Sequence, residues 1–541
     1  SACLVGSEMC IRDSLYSIVI IESMSRSFRE FSSQFIRYHD IGFSLDCPVI
    51  EGDTEFEKVK GRVLKDMLDL ERGAIVNPDE DRRVGHFWLR NPDIAPDKDT
   101  RNYIQESIEK VKKFSENIRN RNTLNSSNKP FSAVLWIGIG GSVLGVQFTS
   151  AALVEKRDMV MHYLDNCDPD GIEASLNSIK NLSQTLVVVV SKSGNTVETL
   201  LCLKEVEAAF SKSDLNFRAQ AVAVTGNGST LYKRAVTERW LEIFEIPDWV
   251  GGRFSITSVV GLLALALQGV DYRKFLDGAA MMDRHTRSPD MTQNAAMRLA
   301  RFWYLKNQGS KKKNMVVLPY KDCLSFMARY LQQLIMESLG KRNDLAGNVV
   351  HEGMTVYGNK GTTDQHSYGQ QLRDGLDDFF VVFLEVQKGR KNRTGKALAE
   401  DRHCDYLYGY LRGTRSAFQE AGRDSITISV SELNPNTLGS LVALFERAVS
   451  FYGSIVQINP YHQPGVAAGK NSAEYFLKLL KRTSKALTSR PVTVLQLAAI
   501  LEADPEDVFY CLGHLASNKS ALQIIGDTPS EDKFSRSERE V

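Results

Sequence analysis

The sequence predicts an α/β protein of two tandem domains, each a parallel sheet flanked by helices, with helical N- and C-terminal extensions. Three observations carry that expectation. At 541 residues the chain is too long for one hydrophobic core. Continuous Val/Ile/Leu runs alternate with helix-spaced segments, as expected of strands covered on both faces. The alternation stops at a basic stretch, NQGSKKKN (307–314), and then restarts.

The elements follow in order. Residues 1–14, SACLVGSEMCIRDS, lack an initiator Met and the basic-then-apolar order of a secretory signal. They read as extraneous sequence or the remnant of a longer segment and are given no role. A helical arm is expected over 15–125, where VKGRVLKDMLDLERGA and YIQESIEKVKKFSENI repeat near 3.6 residues. The Asn/Ser-rich stretch RNRNTLNSSNKP (119–130) reads as a linker.

The first α/β domain spans 126–300. Strand AVLWIGIG (133–140) runs into a helix, and strand TLVVVVS (185–191) into the helix TVETLLCLKEVEAAF. Strands AVAVT (221–225) and LEIFEI (241–246) come next, then a helix over RFSITSVVGLLALAL (253–267). The second domain spans 312–460, with strand MVVLPY (315–320) and a helix over DCLSFMARYLQQLIMESLG. Strands DDFFVVFLEV (377–386) and DSITISV (424–430) and the helix LGSLVALFERAVSFYGSIV (438–456) complete it. Residues 461–541 read as a loop carrying functional residues followed by a helical tail. The helix-turn-helix rhythm at 493–518 lacks a basic surface and reads as packing rather than DNA binding.

Bulk properties narrow the function. Basic residues number 67 and acidic residues 66, so neither nucleic acid nor an anionic membrane is expected as a partner. The 8 cysteines are scattered without a CxxC pair, which fits a reducing compartment and argues against structural zinc. No apolar run approaches the roughly 20 residues that cross a bilayer. The chain reads as soluble, in the cytoplasm or alternatively the plastid stroma.

Three distant blocks ask for one polar site: SKSGNT (191–196), MESLGK (336–341) and HQPGVAAGK (462–470). Ligands of parallel sheets sit beyond the strand carboxyl ends, where free N–H groups and the helix dipole favour an anion. SKSGNT occupies such a place, with hydroxyls on Ser191, Ser193 and Thr196 and close backbone approach at Gly194. The plainer alternative is a turn that merely caps a helix. GIGGS (138–142) also follows a strand, but the dinucleotide fingerprint fails because Val143 stands at its last position. A tight turn bringing Gly141 and Ser142 to a small ligand fits better.

Glu337 ends an amphipathic helix made polar by Ser325, Arg329, Gln332 and Gln333. The dipole there disfavours a carboxylate, a setting that suits a general base as well as a plain surface glutamate. Arg253 follows two glycines in VGGRFS, so its guanidinium can turn inward or serve a surface ion pair. His366, in GTTDQHSYGQQ, reads as a capping histidine or a functional one, and Lys470 as a site cation or an ordinary helix residue.

Together these blocks resemble the phosphoglucose isomerase family. Six motifs run in the family's order over roughly residues 120–480: GIGGS, SKSGNT, VGGRFS, QQLIMESLGK, the DQH block and QPGVAAGK. The resemblance implies two sugar-isomerase (SIS) domains and reversible isomerisation of glucose 6-phosphate and fructose 6-phosphate through a cis-enediol, in glycolysis and gluconeogenesis. It implies that Ser191, Lys192, Ser193 and Thr196, with Gly141 and Ser142, hold the phosphate. Glu337 would move the proton between C2 and C1, and Arg253 would stabilise the enediolate. His366 and Lys470 would open the ring, and Gln333 and Gln463 would position the sugar. The histidine comes from the neighbouring subunit in this family, which implies a homodimer with a shared site. No metal or organic cofactor is implied. SKSGNT stands for the commoner SKTFTT, MESLGK for MESNGK, and His462, Pro464 and Ala467 for Asp, Trp and Glu, a pattern similar to the cyanobacterial and plastid branch. A non-catalytic sugar-phosphate sensor and a dual enzyme also accepting mannose 6-phosphate are the alternatives.

Overall fold

The computed structural model describes residues 28–48, 54–153, 159–308, 312–389, 402–518 and 522–536. Residues 1–14, the start of the expected arm and the centre of the basic linker lie outside them. Where the arm is described it is not wholly helical. Strands β1 (Phe35–Tyr38) and β2 (Phe43–Asp46) form an antiparallel hairpin ahead of the helices Thr54–Glu71 and Lys98–Arg119. Nothing local marks β2, because its buried Asp46 is satisfied by Arg415, far along the chain.

The first sheet is parallel throughout, in the order β4-β3-β5-β6-β7. Its strands are β3 (Ala133–Ile137), β4 (Val160–Leu164), β5 (Thr185–Ser191), β6 (Ala221–Thr225) and β7 (Glu242–Glu245). β3, β5 and β6 are buried at every position, which is why they read as unbroken apolar runs.

The second sheet is built from β8 (Asn314–Pro319), β11 (Val356–Tyr357), β12 (Phe379–Val386) and β13 (Ser425–Val430), parallel to one another. Its order is β1-β2-β13-β12-β8-β11, so the early hairpin extends it antiparallel through β2. Between β8 and β11 a small antiparallel pair forms from β9 (Lys341–Asn343) and β10 (Val349–Glu352). The helix Pro435–Ile455, started by an Asn434–Thr437 capping box, is buried almost throughout.

A buried ionic cluster ties distant segments to that helix. Arg90 pairs with Asp283 at 2.8 Å and with Glu446, and Arg447 pairs with Glu71 at 2.6 Å and with Asp283 at 3.5 Å. Arg287, just past the helix Tyr272–His285, also reaches Glu71, at 2.8 Å. Burial pushes the Asp283 carboxyl up, against the pull of both arginines.

Both sheets belong to one compact unit ending at His462, and Gln463–Val541 form a second. The second unit is not purely helical. Beside the helices Pro464–Ala486, Val494–Leu501 and Pro505–Asn518 it carries β14 (Val492–Thr493), β15 (Leu522–Ile525) and β16 (Lys533–Arg536), in the order β14-β16-β15. The apolar faces of the helical pair, Leu497, Leu501, Val508 and Leu512, bury in this unit's own core with Phe534. Among the described residues, no helix is long and apolar enough to cross a membrane.

Candidate active site

The carboxyl ends of β3 and β5 lie side by side, Ile137 paired with Val189, so the two Gly/Ser turns that follow them are neighbours. After β5 the chain makes the SKSGNT turn and enters the helix Val197–Lys212. Ser191 Oγ lies 2.9 Å from Thr196 Oγ1 and accepts the Gly194 N–H at 3.1 Å. Gly194 adopts φ +72°, and a Cβ there would stand 2.6 Å from the Leu231 nitrogen. Ser193 is exposed. The Lys192 ammonium turns away, donating to the carbonyls of Asp248 and Val250 at 2.8 and 2.9 Å. Burial, with Arg82 adding to it, pulls this lysine down to about 8. Its side chain braces the turn, and what it offers inside the turn is backbone.

The GIGGS turn is a short 3₁₀ segment, Gly140–Ser142, ahead of the helix Leu144–Leu153. Gly141 abuts the Gly252 carbonyl so closely that any Cβ would collide with it, and Ser255 Oγ donates to the Gly141 carbonyl at 3.1 Å. The segment expected as one helix from Arg253 is therefore two. A 3₁₀ stretch, Gly252–Thr257, holds the arginine, and a helix capped by Ser258 begins at Val259.

Arg253 is 3% exposed. Its Nε donates to Ser338 Oγ at 2.6 Å, and its Nη2 to the carbonyls of Pro460 and His462 at 2.6 and 3.2 Å. Nη1 stands 3.7 Å from Glu337 Oε1. Burial lowers the guanidinium from its ordinary value, and Glu337 opposes that. The expected single helix leading to Glu337 is also divided, into an α-turn, Met327–Leu331, and a π-helix, Gln332–Glu337. Gln333 and Glu337, four residues apart, share a face of this segment, and π turns recur at functional sites. Gln333 reaches the Gly140 turn, its Nε2 standing 3.0 Å from where a Gly140 Cβ would be. Glu337 Oε2 is buried and has no hydrogen-bond partner among the described residues.

Not every predicted residue joins this group. His366 follows the short helix Gly361–Gln365, is exposed, and its side chain makes no hydrogen bond or ion pair among the described residues. Asp364 fixes its loop by accepting from the Asn359 N–H at 2.7 Å and the Tyr368 hydroxyl at 2.5 Å. Gln463 and Lys470 belong to the second unit, at the N-cap and on the exposed surface of the helix Pro464–Ala486.

Two titratable neighbours carry no role in the sequence reading. Lys341 Nζ donates to the Glu337 carbonyl at 2.7 Å, and burial with Arg253 nearby pulls it down to about 7. Its spacing of four residues from Glu337 was the available signal. His462 Nε2 lies 3.7 Å from Asp79, on a loop bound to Asn459 through Asn77 at 2.8 Å and Asp79 at 2.6 Å. No sequence signal joins residues that far apart.

A pair of helix-flanked, largely parallel sheets, with Gly/Ser turns at adjoining strand ends and an arginine–carboxylate pair beside the Gly140–Ser142 turn, is the architecture of a sugar-isomerase-domain protein. The phosphoglucose isomerase family matches residues 57–403 and 413–493. A glucose-6-phosphate isomerase of Synechococcus sp. (strain JA-3-3Ab) is 49% identical over 474 residues, covering 86% of this chain and 89% of the relative. One from Desulfitobacterium hafniense (strain Y51) is 44% identical over 503 residues, covering 91% and 94%. The crystal structure of a glucose-6-phosphate isomerase from Chlamydia trachomatis superposes with a TM-score of 0.74 at 27% identity, covering 84% of this chain and 92% of that one. The chain belongs to the phosphoglucose isomerase family.

Proposed function

We infer that this chain interconverts D-glucose 6-phosphate and D-fructose 6-phosphate, an aldose–ketose isomerisation. The observation that carries the reading is the Arg253–Glu337 pair, 3.7 Å apart beside the Gly140–Ser142 turn, with Glu337 Oε2 unpartnered among the described residues.

Glu337 takes the proton from C2 of the open-chain aldose. The electron pair of that C–H bond becomes the C1=C2 double bond of a cis-enediolate, leaving negative charge on O1. A proton passes from O2 to O1, the carbonyl re-forms at C2, and Glu337 returns its proton to C1. One carboxylate reachable from both carbons suffices. Arg253 is held by three fixed acceptors, so it meets the developing oxyanion already oriented, an effect worth about 3–4 kcal/mol for one such donor. Ser191, Ser193, Thr196, Ser142 and the backbone at Gly141 and Lys192 hold the phosphate, whose binding energy positions the reacting end. Gln333 and Gln463 orient the sugar.

His366 and Lys470 open the pyranose ring. The exposure of His366 supports a contribution to the site of a second copy of this chain, in a homodimer with shared sites. The six described cysteines with free thiols fit a reducing compartment, the cytoplasm or a plastid stroma.

The test is fructose 6-phosphate formation from glucose 6-phosphate by purified protein, with Glu337→Gln as comparison. The amide keeps the shape and removes the proton acceptor, so turnover falls by about 10²–10⁴-fold. Substantial turnover by a folded Glu337→Gln protein removes Glu337 as the base.

A further inference from the structure

Lys341 stands inside the site, yet the isomerisation steps give it no task. It opens β9 four residues past Glu337, where the π-helix ends, and it is only 5% exposed. A lysine is almost never buried without a specific partner. Here the partner is the base itself. The ammonium donates to the main-chain carbonyl of Glu337 at 2.7 Å. Carbonyls in the last turn of a helix lack intrahelical donors, so this bond fixes a peptide plane otherwise free to rock. The Cα–Cβ direction of Glu337 is set by that plane, and with it the approach of the carboxylate to Arg253.

The charges around Lys341 come from several elements. Arg253, on the 3₁₀ stretch, repels its ammonium, while Glu337 on the π-helix and Asp79 on the 77–82 loop attract it. His462, on the segment that also holds Arg253, feels the lysine as a like charge. Across the small sheet, Glu352 pairs with Lys341 in register, but its carboxylate accepts from the Tyr452 hydroxyl at 2.7 Å and from Asn307.

We propose that Lys341 is a positioning residue for the base: it anchors the Glu337 main chain, fixes the carboxylate against Arg253, and contributes to the field in which the carboxylate works. The proposal rests on the reading of Glu337 as the base. Because burial brings the ammonium to about 7, it is charged on the acid side of neutrality and uncharged on the alkaline side, while its N–H groups can still donate to the carbonyl.

Three substitutions separate anchoring from charge. Lys341→Met removes both, Lys341→Gln can donate to the carbonyl without charge, and Lys341→Arg donates with a permanent charge. The measurement is kcat and KM for glucose 6-phosphate from about pH 6 to 8, with the folded fraction followed by circular dichroism. Lys341→Met is expected to lose about 10- to 100-fold in kcat with KM within about threefold, as for a displaced catalytic group. The ratio of wild-type to Lys341→Gln kcat, and of wild-type to Lys341→Arg, is expected to change across that range. If Lys341→Met does not fold, the Gln and Arg ratios decide alone. An unchanged kcat, or a loss that only follows the folded fraction with pH-independent ratios, overturns the proposal and leaves a plain helix cap. Failure of the base reading is recognised separately, by turnover in Glu337→Gln whatever the Lys341 variants do.

Discussion

Arg253 Nη1 lies 3.7 Å from Glu337 Oε1, and the guanidinium's other nitrogens are committed to Ser338 Oγ and to the carbonyls of Pro460 and His462. The arginine cannot swing away without leaving buried acceptors unsatisfied, so the guanidinium is held in place beside Glu337. Lysine at this position has one nitrogen and no fork, and cannot serve the Ser338, Pro460 and Glu337 directions together. Arg253→Lys is expected to lower kcat/KM by about 10²–10³-fold while the protein stays folded. A loss below about threefold would mean that the fixed fork does not stabilise the oxyanion.

Much of this was legible in the sequence, for physical reasons. β3, β5 and β12 are buried along nearly their whole length, so burial wrote itself as unbroken apolar runs. The hairpin β1–β2 escaped notice because Ser44 and Asp46 look like surface residues until Arg415 and the neighbouring strand β13 are present. The site's residue types were legible as motifs, but its geometry was not. QQLIMESLG has the spacing of an ordinary helix, and only the fold widens it to a π turn. The resemblance implied Lys192 in the phosphate site, and only the fold shows its ammonium bonded to the Asp248 and Val250 carbonyls. The role of Lys341 is not legible in MESLGK, because nothing in four residues of spacing says that a side chain turns back onto a main-chain carbonyl.

The exposed His366 makes the shared-site reading testable without a structure of the assembly. Glu337→Gln and His366→Ala homodimers should both be nearly inactive. Unfolded together and refolded, the mixture forms some dimers in which one site holds both wild-type residues, provided that His366 acts on the partner copy. Activity approaching a quarter of the wild-type value is then expected, by counting one intact site in the half of the dimers that are mixed. Mixed dimers verified by mass and still inactive would return His366 to its own chain.

Glu71 offers a stability measurement with a definite sign. Burial pushes its carboxyl up, but Arg447 at 2.6 Å and Arg287 at 2.8 Å outweigh that and hold it below the ordinary carboxylate value. A group lowered in the folded state stabilises above its unfolded value and loses that contribution as pH falls through the folded one. Glu71→Gln should therefore cost about 3 kcal/mol near neutral pH, because it takes the nearest carboxylate from two arginines and leaves the fully buried Arg447 with the longer 3.5 Å contact to Asp283. The gap between wild type and variant, read from urea unfolding, should narrow as pH falls below about 4. A gap that is constant from pH 7 to pH 3 would show that the lost term is packing rather than charge.

Gly194 tests the phosphate turn apart from the chemistry. It holds φ +72°, and an added Cβ would meet the Leu231 nitrogen at 2.6 Å, a backbone atom in the first turn of the helix Thr230–Glu238 that cannot step aside. Gly347, between β9 and β10, has a comparable φ of +87° and nothing within 4 Å of its would-be Cβ. Alanine at either position carries about 1–2 kcal/mol of left-handed strain, but only at Gly194 must the turn also move. The Ser191–Thr196 hydroxyl pair, 2.9 Å apart, is then prised from the Gly194 N–H that shares it. Gly194→Ala should raise KM for glucose 6-phosphate about tenfold or more, the equivalent of one lost phosphate hydrogen bond, with a smaller change in kcat. Gly347→Ala should leave both constants near wild type. Equal effects from the two substitutions would mean that strain alone is being measured and that the SKSGNT turn does not grip the phosphate.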